Sequence, residues 1–270
     1  MNPRATDLLP GEIRARLETR LFGRRVYYLP ETDSTNRVAS ELARAGESHG
    51  SLVVADHQTG GRGRRDRRWE SPAGRNLLFS LILRPEGSAR DVLPLTLAFS
   101  LGTARALSGL LSVKAGVKWP NDVEVEGRKI AGTLAEGASR GERTAHLVVG
   151  TGVNVNETTE EFDTEFRDRA CSCFTLTGRS WVRTDVLAAI LLEFEKAYDE
   201  FARGGFPSLV DRYKLALGIL GRRVRFERRG GIETGTVADV ARDGGLVVDT
   251  AGGRLTLYEE EVVRVREEER

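Results

Sequence analysis

Lys118-Trp119-Pro120-Asn121-Asp122-Val123-Glu124-Val125-Glu126-Gly127-Arg128-Lys129-Ile130-Ala131-Gly132 alternates polar and apolar residues on both sides of Glu126-Gly127. Period-two alternation around such a dipeptide predicts a β-hairpin over residues 122–131. Pro120 fixes its own φ and holds Trp119 extended, so Asn121 and Asp122 leave a strand end with their side chains set in direction. Lys129 lies on the return strand, and nearby Gly132 lets a ligand or another backbone approach closely. A lysine and an aspartate on neighbouring strands can serve chemistry; they can equally form a surface ion pair.

Outward from this hairpin the elements are mixed, and no fixed repeat period runs through them. Residues 25–29, 51–56, 76–84 and 145–149 are apolar or β-branched runs bounded by Gly and Pro, as buried strands are. Asp33 and Ser34 offer N-cap oxygens to a helix ending near Ala45-Gly46, with Val38, Ala39, Leu42 and Ala45 on one face. Residues 91–111 read as one helix with Pro94 in its first turn. A second long helix starts at Thr184 and stops at Gly204-Gly205. After Gly218 short alternating runs broken by Gly-Gly and Asp-Gly predict a small antiparallel β-barrel. The expected organisation is therefore an extension over 1–26, an α+β domain over 27–217 with a mixed sheet flanked by helices, and a small barrel over 218–270. Residues 267–270 read as a solvated end.

The 270 residues carry 41 Lys+Arg against 40 Asp+Glu, a formal net charge of +1. That balance argues against a protein whose main business is coating nucleic acid or anionic lipid, and any useful charge must be local. No apolar run is long enough to cross a bilayer and the first twenty residues lack a secretory pattern, so a cytoplasmic protein is expected. Cys171 and Cys173 are too close and too few for a disulfide framework or a cysteine-only zinc site, and read as small buried apolar residues. His57 reads as structural, since nothing near it in sequence resembles a nucleophile to activate.

Charge does concentrate in one place. Gly60-Gly61-Arg62-Gly63-Arg64-Arg65-Asp66-Arg67-Arg68-Trp69 holds five arginines and one aspartate. Its glycines let backbone N–H groups turn toward an anion, so the loop suits phosphate. It follows the strand ending near Gln58 and re-enters the fold at Trp69 and Ser71-Pro72, which anchors both ends. A solvated charge run and a single-stranded nucleic-acid contact are the alternatives. The common nucleotide motifs fail: there is no G-x-x-x-x-G-K-[ST], and Gly61-x-Gly63 and Gly150-x-Gly152 lack the third glycine and helix of a dinucleotide fold. No HExxH or G-x-S-x-G is present. Gly150-Thr151-Gly152-Val153-Asn154-Val155-Asn156 prolongs an apolar strand with side-chain-free positions and two amides, either a turn or the floor beneath a flat ligand.

Taken together and in order, D-S-T-N at 33–36, Q-T-G-G-R-G-R-R at 58–65, W-x-S-P at 69–72, K-W-P-N-D at 118–122, G-R-K-I-A-G at 127–132 and G-x-G-V-N-V-N at 150–156 resemble the biotin protein ligases. The resemblance runs from about residue 27 to 266. Asp66 stands where the family commonly has glycine, and the chain ahead of Tyr27 is too short for the DNA-binding helix-turn-helix of some members, so repressor function is not expected.

The resemblance implies the fold of biotin ligases and class II aminoacyl-tRNA synthetases with a small SH3-like C-terminal domain. It also implies a two-step reaction: biotin and ATP give biotinyl-5'-AMP, and the biotinyl group passes to a lysine of a biotin carboxyl carrier protein of acetyl-CoA carboxylase. On the matching positions, Ser34, Thr35, Asn36 and Gln58 would meet the biotin head, joined by backbone groups of Gly132 and Gly152. Gly61, Arg62, Gly63, Arg64, Arg67, Trp69 and Lys129 would hold phosphate, with Mg²⁺ sharing the charge. Asn154 would meet adenine, while Asn121 and Asp122 face the transfer step; Lys129, Arg62, Arg64 and Asp122 would be catalytic. No residue is assigned as a metal ligand, and a homodimer without nucleic-acid or membrane partners is implied. The rival expectations are a lipoate or octanoate ligase or transferase of related fold, and a non-enzymatic RNA binder acting through the arginine loop.

Overall fold

The computed structural model describes residues 6–228, 231–258 and 262–267. In chain order the elements are α1 (Pro10–Arg16), β1 (Val26–Thr32), α2 (Thr35–Arg44), β2 (Leu52–Gln58), β3 (Leu77–Leu83), α3 (Ala89–Val92), α4 (Leu95–Leu111), β4 (Ala115–Lys118), β5 (Asp122–Val125), β6 (Arg128–Arg140) and β7 (Arg143–Val153). They continue as α5 (Cys173–Thr177), α6 (Arg183–Gly204), α7 (Val210–Ala216), β8 (Arg223–Arg228), β9 (Gly231–Val240), β10 (Leu246–Thr250), β11 (Gly253–Leu257) and β12 (Val262–Glu267). The expected solvated end at 267–270 lies, beyond Glu267, outside the described residues, as do residues 1–5 of the expected extension.

Seven strands form one mixed sheet in the order β1-β2-β3-β7-β6-β5-β4, with β1 and β2 parallel and the other neighbours antiparallel. The 122–131 hairpin is present as expected. Glu126 and Gly127 at its turn have φ of 52° and 75°, the two positive values that match a tight turn to the twist of its strands. Strands β6 and β7 run well past their predicted ends and pair as far as Arg140 with Arg143. The small residues of 131–139 gave no apolar alternation from which that length could be read.

The two faces of the sheet differ. Phe79, Leu81 and Val149 face a large core built with α4 and α6, where Phe99 and Phe194 stack with centroids 4.4 Å apart. Helix α4 is buried on most of its circumference, which explains its nearly continuous apolar sequence. It does not begin at Asp91: α3 ends at Val92 and α4 starts after Pro94. Pro94 has no N–H to continue a helix and disfavours helical geometry at Leu93. On the opposite face α2 packs Ala39 and Ala43 against Val53, Ile82 and Val148.

The segment ahead of β1 is tied to this domain. Leu8, Ile13 and Phe22 are buried in the large core, and the Glu195 carboxylate accepts the backbone N–H groups of Arg20, Leu21 and Phe22 at 2.6, 2.7 and 3.0 Å. At the other end, β8–β12 form a five-stranded antiparallel sheet in the order β11-β10-β9-β8-β12. Among the described residues no ladder joins β11 to β12, so this SH3-like unit is an open sheet rather than the closed barrel expected. Its edge strands have five and six described residues, and short edges are a usual way to limit exposed sheet edges without closure. The unit docks through a polar contact next to the hairpin, where Trp119 Nε1 donates to the Gly244 carbonyl at 3.1 Å, and through the Lys214–Asp239 ion pair at 2.6 Å. No described helix is long and apolar enough to cross a membrane.

Candidate active site

Every site residue named from the sequence except Gly61 lines one open cleft of ≈ 1870 Å³, over the sheet face that carries Leu78, Gly150 and Gly152. Motifs separated by more than a hundred residues meet because β3, β7, β6 and β5 are adjacent strands, while α2 and the arginine loop leave the ends of β1 and β2 beside them.

At one end the polar groups are fixed by one another. Ser34 is the N-cap of α2, yet its side chain makes no capping bond; it lies buried in the cleft wall. Asp33 accepts from Ser34 N instead, and Arg37 holds its carboxyl down at about 2. The Gln58 Oε1 accepts from both Thr35 N (2.7 Å) and Thr35 Oγ1 (2.8 Å), so the Nε2 donor is turned toward Gly61. The Asn36 Nδ2 donates to Glu136 Oε2 at 2.6 Å and to the Leu134 carbonyl at 3.4 Å. That orientation leaves Asn36 Oδ1 as an acceptor, 2.6 Å from Ser80 Oγ. Ser80 Oγ also lies 2.8 Å from Thr35 Oγ1, and its one proton serves one neighbour at a time. The site therefore presents a fixed amide donor from Gln58 and a fixed amide acceptor from Asn36.

Glycines make room for this arrangement. A Cβ on Gly150 would stand 2.1 Å from Asn36 Oδ1, and one on Gly152 would stand 2.5 Å from Trp69 Cε2. The floor suggested by the G-x-G run is thus filled by Asn36 and the Trp69 ring.

The arginine loop is a small closed hairpin. Arg62 bridges Arg68, Gly63 N donates to the Arg67 carbonyl at 2.7 Å, and Trp69 N donates to Gly61 O at 2.9 Å. Gly61, outside the cleft lining, is the tight point at its base: a Cβ there would meet Trp69 O at 2.4 Å. At the tip a 3₁₀ turn spans Arg64–Asp66, with Arg65 at φ 54°. The side chain of Asp66, the departure from the family pattern, lies outside the described structure. The loop delivers Trp69 so that its Nε1 is buried with no hydrogen-bond partner among the described residues. A buried orphan N–H is rare in folded proteins and fits an acceptor supplied by a ligand.

Lys129 and Arg62 face carboxylates. Lys129 Nζ is 2.7 Å from Asp122 Oδ1 and 5.3 Å from the Trp69 ring centroid, and Arg62 lies 3.4 Å from Glu136 Oε1. Arg64 and Arg67 line the cleft beside them. Lys118 pairs with Glu124 at 2.5 Å, and burial pushes the Glu124 carboxyl above the ordinary range against that pull. The backbone of Lys129 is clamped, its N–H donating to the Arg169 carbonyl and its own carbonyl accepting from Cys171 N. Asn121 Nδ2 donates to the Thr133 carbonyl at 2.7 Å, which holds the start of β5 against β6. Asn154 Nδ2 donates to the carbonyls of Cys171 (3.1 Å) and Lys129 (3.5 Å), so a ligand contact there falls to its Oδ1. Both cysteines are free and buried, and burial pushes their thiols up to about 11 and about 12. His57 pairs with Glu31 at 2.9 Å, away from the cleft lining.

Three groups near or in the site had escaped the sequence reading: Ser80, Glu136 and Glu157. A serine in the middle of the apolar run N-L-L-F-S-L-I-L-R was a legible signal, because a polar residue in a buried strand needs a partner. Glu157 is buried in the cleft wall with Asn76 Nδ2 donating to it at 2.5 Å. Burial, with Glu161 and Asp163 adding repulsion, raises its carboxyl to about 7 against the pull of Asn76. Since the folded value exceeds the unfolded one near 4.5, this group favours the fold below pH 4.5, and that contribution disappears as pH rises through about 7. Glu157→Gln is expected to raise the melting temperature at pH 8 more than at pH 5; equal shifts at both would remove the linkage.

The biotin/lipoate A/B protein ligase family model matches residues 28–154, and the biotin protein ligase C terminal domain model matches 219–265. The chain is 33% identical over 256 residues to the bifunctional ligase/repressor BirA of Bacillus spizizenii, covering 94% of this chain and 78% of that protein. It belongs to the biotin protein ligase family. It is also 32% identical over 251 residues to the biotin–[acetyl-CoA-carboxylase] ligase of Mycobacterium tuberculosis, covering 90% of each chain. The biotin protein ligase of Aquifex aeolicus, solved in complex with biotin and ATP, superposes with a TM-score of 0.77 at 30% identity, covering 91% of this chain and all of that one. A biotin ligase fold thus joins the mixed sheet and the C-terminal unit in this member as in that structure.

Proposed function

We propose that this chain is a biotin–[carrier protein] ligase that makes biotinyl-5'-AMP from biotin and ATP and passes the biotinyl group to a lysine of a biotin carboxyl carrier protein. The observation that carries the choice among acids is the fixed pair at the cleft's polar end, the Asn36 acceptor beside the Gln58 donor. A ureido ring offers N–H and C=O to such a pair. A dithiolane or an alkyl chain offers neither and would cover both amide groups without pairing with them, at about 1–3 kcal/mol apiece. Pyrophosphate release with biotin, lipoate and octanoate supplied separately tests the reading: biotin alone should turn over, and equal turnover with octanoate would overturn it.

In the first step a biotin carboxylate oxygen attacks the α-phosphorus and the bond to pyrophosphate breaks. The approach sets anion against anion. Arg62, Arg64, Arg67 and Lys129 offset that repulsion and stabilise the charge gathering on the phosphoryl oxygens. The Trp69 N–H supplies a neutral donor at the same place, and Asn154 Oδ1 faces adenine. Mg²⁺, where bound, would supply further positive charge beside the triphosphate. Magnesium keeps water and phosphate oxygens as ligands and needs few protein groups, and the carboxylates Asp122 and Glu124 are each paired with a lysine.

In the second step the carrier amine attacks the acyl carbon and AMP leaves. When phosphate takes Lys129, Asp122 loses its partner and becomes available to orient the incoming ammonium group and assist its deprotonation. Asp122→Ala is therefore expected to slow transfer from preformed adenylate more than it slows adenylate formation; normal transfer would remove Asp122 from this role. A homodimer, on the family resemblance, completes the proposal; sedimentation of the purified chain tests it.

A further inference from the structure

Glu136 lies on β6 on the cleft side of the sheet, four residues beyond Gly132, and has no part in the chemistry described above. One carboxylate oxygen accepts from Asn36 Nδ2 at 2.6 Å, and the other faces Arg62 at 3.4 Å. Asn36 is 5% exposed, so its amide has no bulk water to pair with and its orientation is set by its neighbours. A carboxylate can only accept from it, which forces Nδ2 toward β6. With the Leu134 carbonyl taking the second N–H, the donors of Asn36 are all engaged on β6 and only Oδ1 is left for the cleft.

We propose that Glu136 is a positioning residue for ligand selection: by holding the Asn36 amide in one orientation it makes that corner of the site an acceptor and so selects a ligand that brings an N–H there. The inference rests on the biotin reading. Without the carboxylate, the amide can rotate by half a turn and present Nδ2 to the ligand, donor against donor. Glutamine at 136 keeps an oxygen that can accept from Nδ2, while it removes the charge and puts an NH₂ in place of the second oxygen.

The test is calorimetric titration of biotin, without ATP, into the full chain and its variants, with melting temperatures as the check on folding. Glu136→Ala should weaken biotin binding tenfold or more, while Glu136→Gln should stay within about threefold of the unaltered chain, a rescue that loss of charge alone would not give. Because Glu136 acts through Asn36, adding Glu136→Ala to Asn36→Ala should cost no further affinity. The inference is overturned if Glu136→Ala binds normally, if Glu136→Gln is as weak as Glu136→Ala, or if the double variant is weaker than Asn36→Ala alone. If Glu136→Ala fails to fold, the Glu136→Gln and Asn36→Ala pair decides: Glu136→Gln must bind normally and Asn36→Ala weakly. Failure of the unaltered chain to bind biotin would instead sink the functional reading itself, and this inference with it.

Discussion

Lys129→Ala is expected to slow biotinyl-adenylate formation by about a hundredfold or more, the usual loss when one well-placed charge at a developing oxyanion is removed. The ammonium stands 2.7 Å from Asp122 and 5.3 Å from the Trp69 centroid, and residues 169–171 hold both the backbone N–H and the carbonyl of Lys129. A clamp of that kind fixes the backbone point from which the lysine side chain reaches into the cleft. The loss should fall mainly on kcat, because the polar end that receives biotin is built from other residues. Pyrophosphate release at saturating biotin measures it; a rate within a few-fold of the unaltered chain would return Lys129–Asp122 to the status of a surface ion pair.

The second large effect is expected from the smallest change. In Gly150→Ala the added Cβ would stand 2.1 Å from Asn36 Oδ1 on a strand held on both sides by β3 and β6, so the asparagine rather than the backbone must move. Moving it breaks the bonds to Glu136 and Ser80 and removes the acceptor at the polar end. The expected loss of biotin affinity is about ten- to a hundredfold, equivalent to one or two buried hydrogen bonds left unmade. Gly109→Ala is the control: nothing lies within 4 Å of a Cβ there, and in an exposed helical position alanine should stabilise by up to about 1 kcal/mol. Biotin titration of the two variants checks the pair. Equal affinities would mean that Asn36 does not report on the pocket.

The contrast between Gly150 and the other site residues shows what could be read from the chain. The Glu126-Gly127 turn and its alternating flanks are local, and the hairpin they predict is present. Residues 58–72 and 118–132 stood out by side-chain type and spacing, and most of them line one cleft. What could not be read is how distant groups answer one another. The donors of Asn36 are engaged by Glu136, a hundred residues away, and Trp69 closes on Gly152 through strand order alone. The closed form of the arginine loop was hidden for the same reason, since its bonds are backbone bonds that any sequence could make. The break at Pro94 was in plain view, but a proline in a first turn and a proline between two helices look alike until the helix axis is known. Closure of the C-terminal strands was overread: short alternating runs specify an antiparallel sheet, and not whether its two edges meet.

Ligase activity is tested most directly by mass spectrometry of a biotin carrier domain after incubation with this chain, ATP and biotin. One lysine should gain the mass of a biotinyl group, the gain should require ATP, and Lys129→Ala should suppress it. A carrier that stays unmodified under conditions where the chain is folded and binds biotin would contradict that activity.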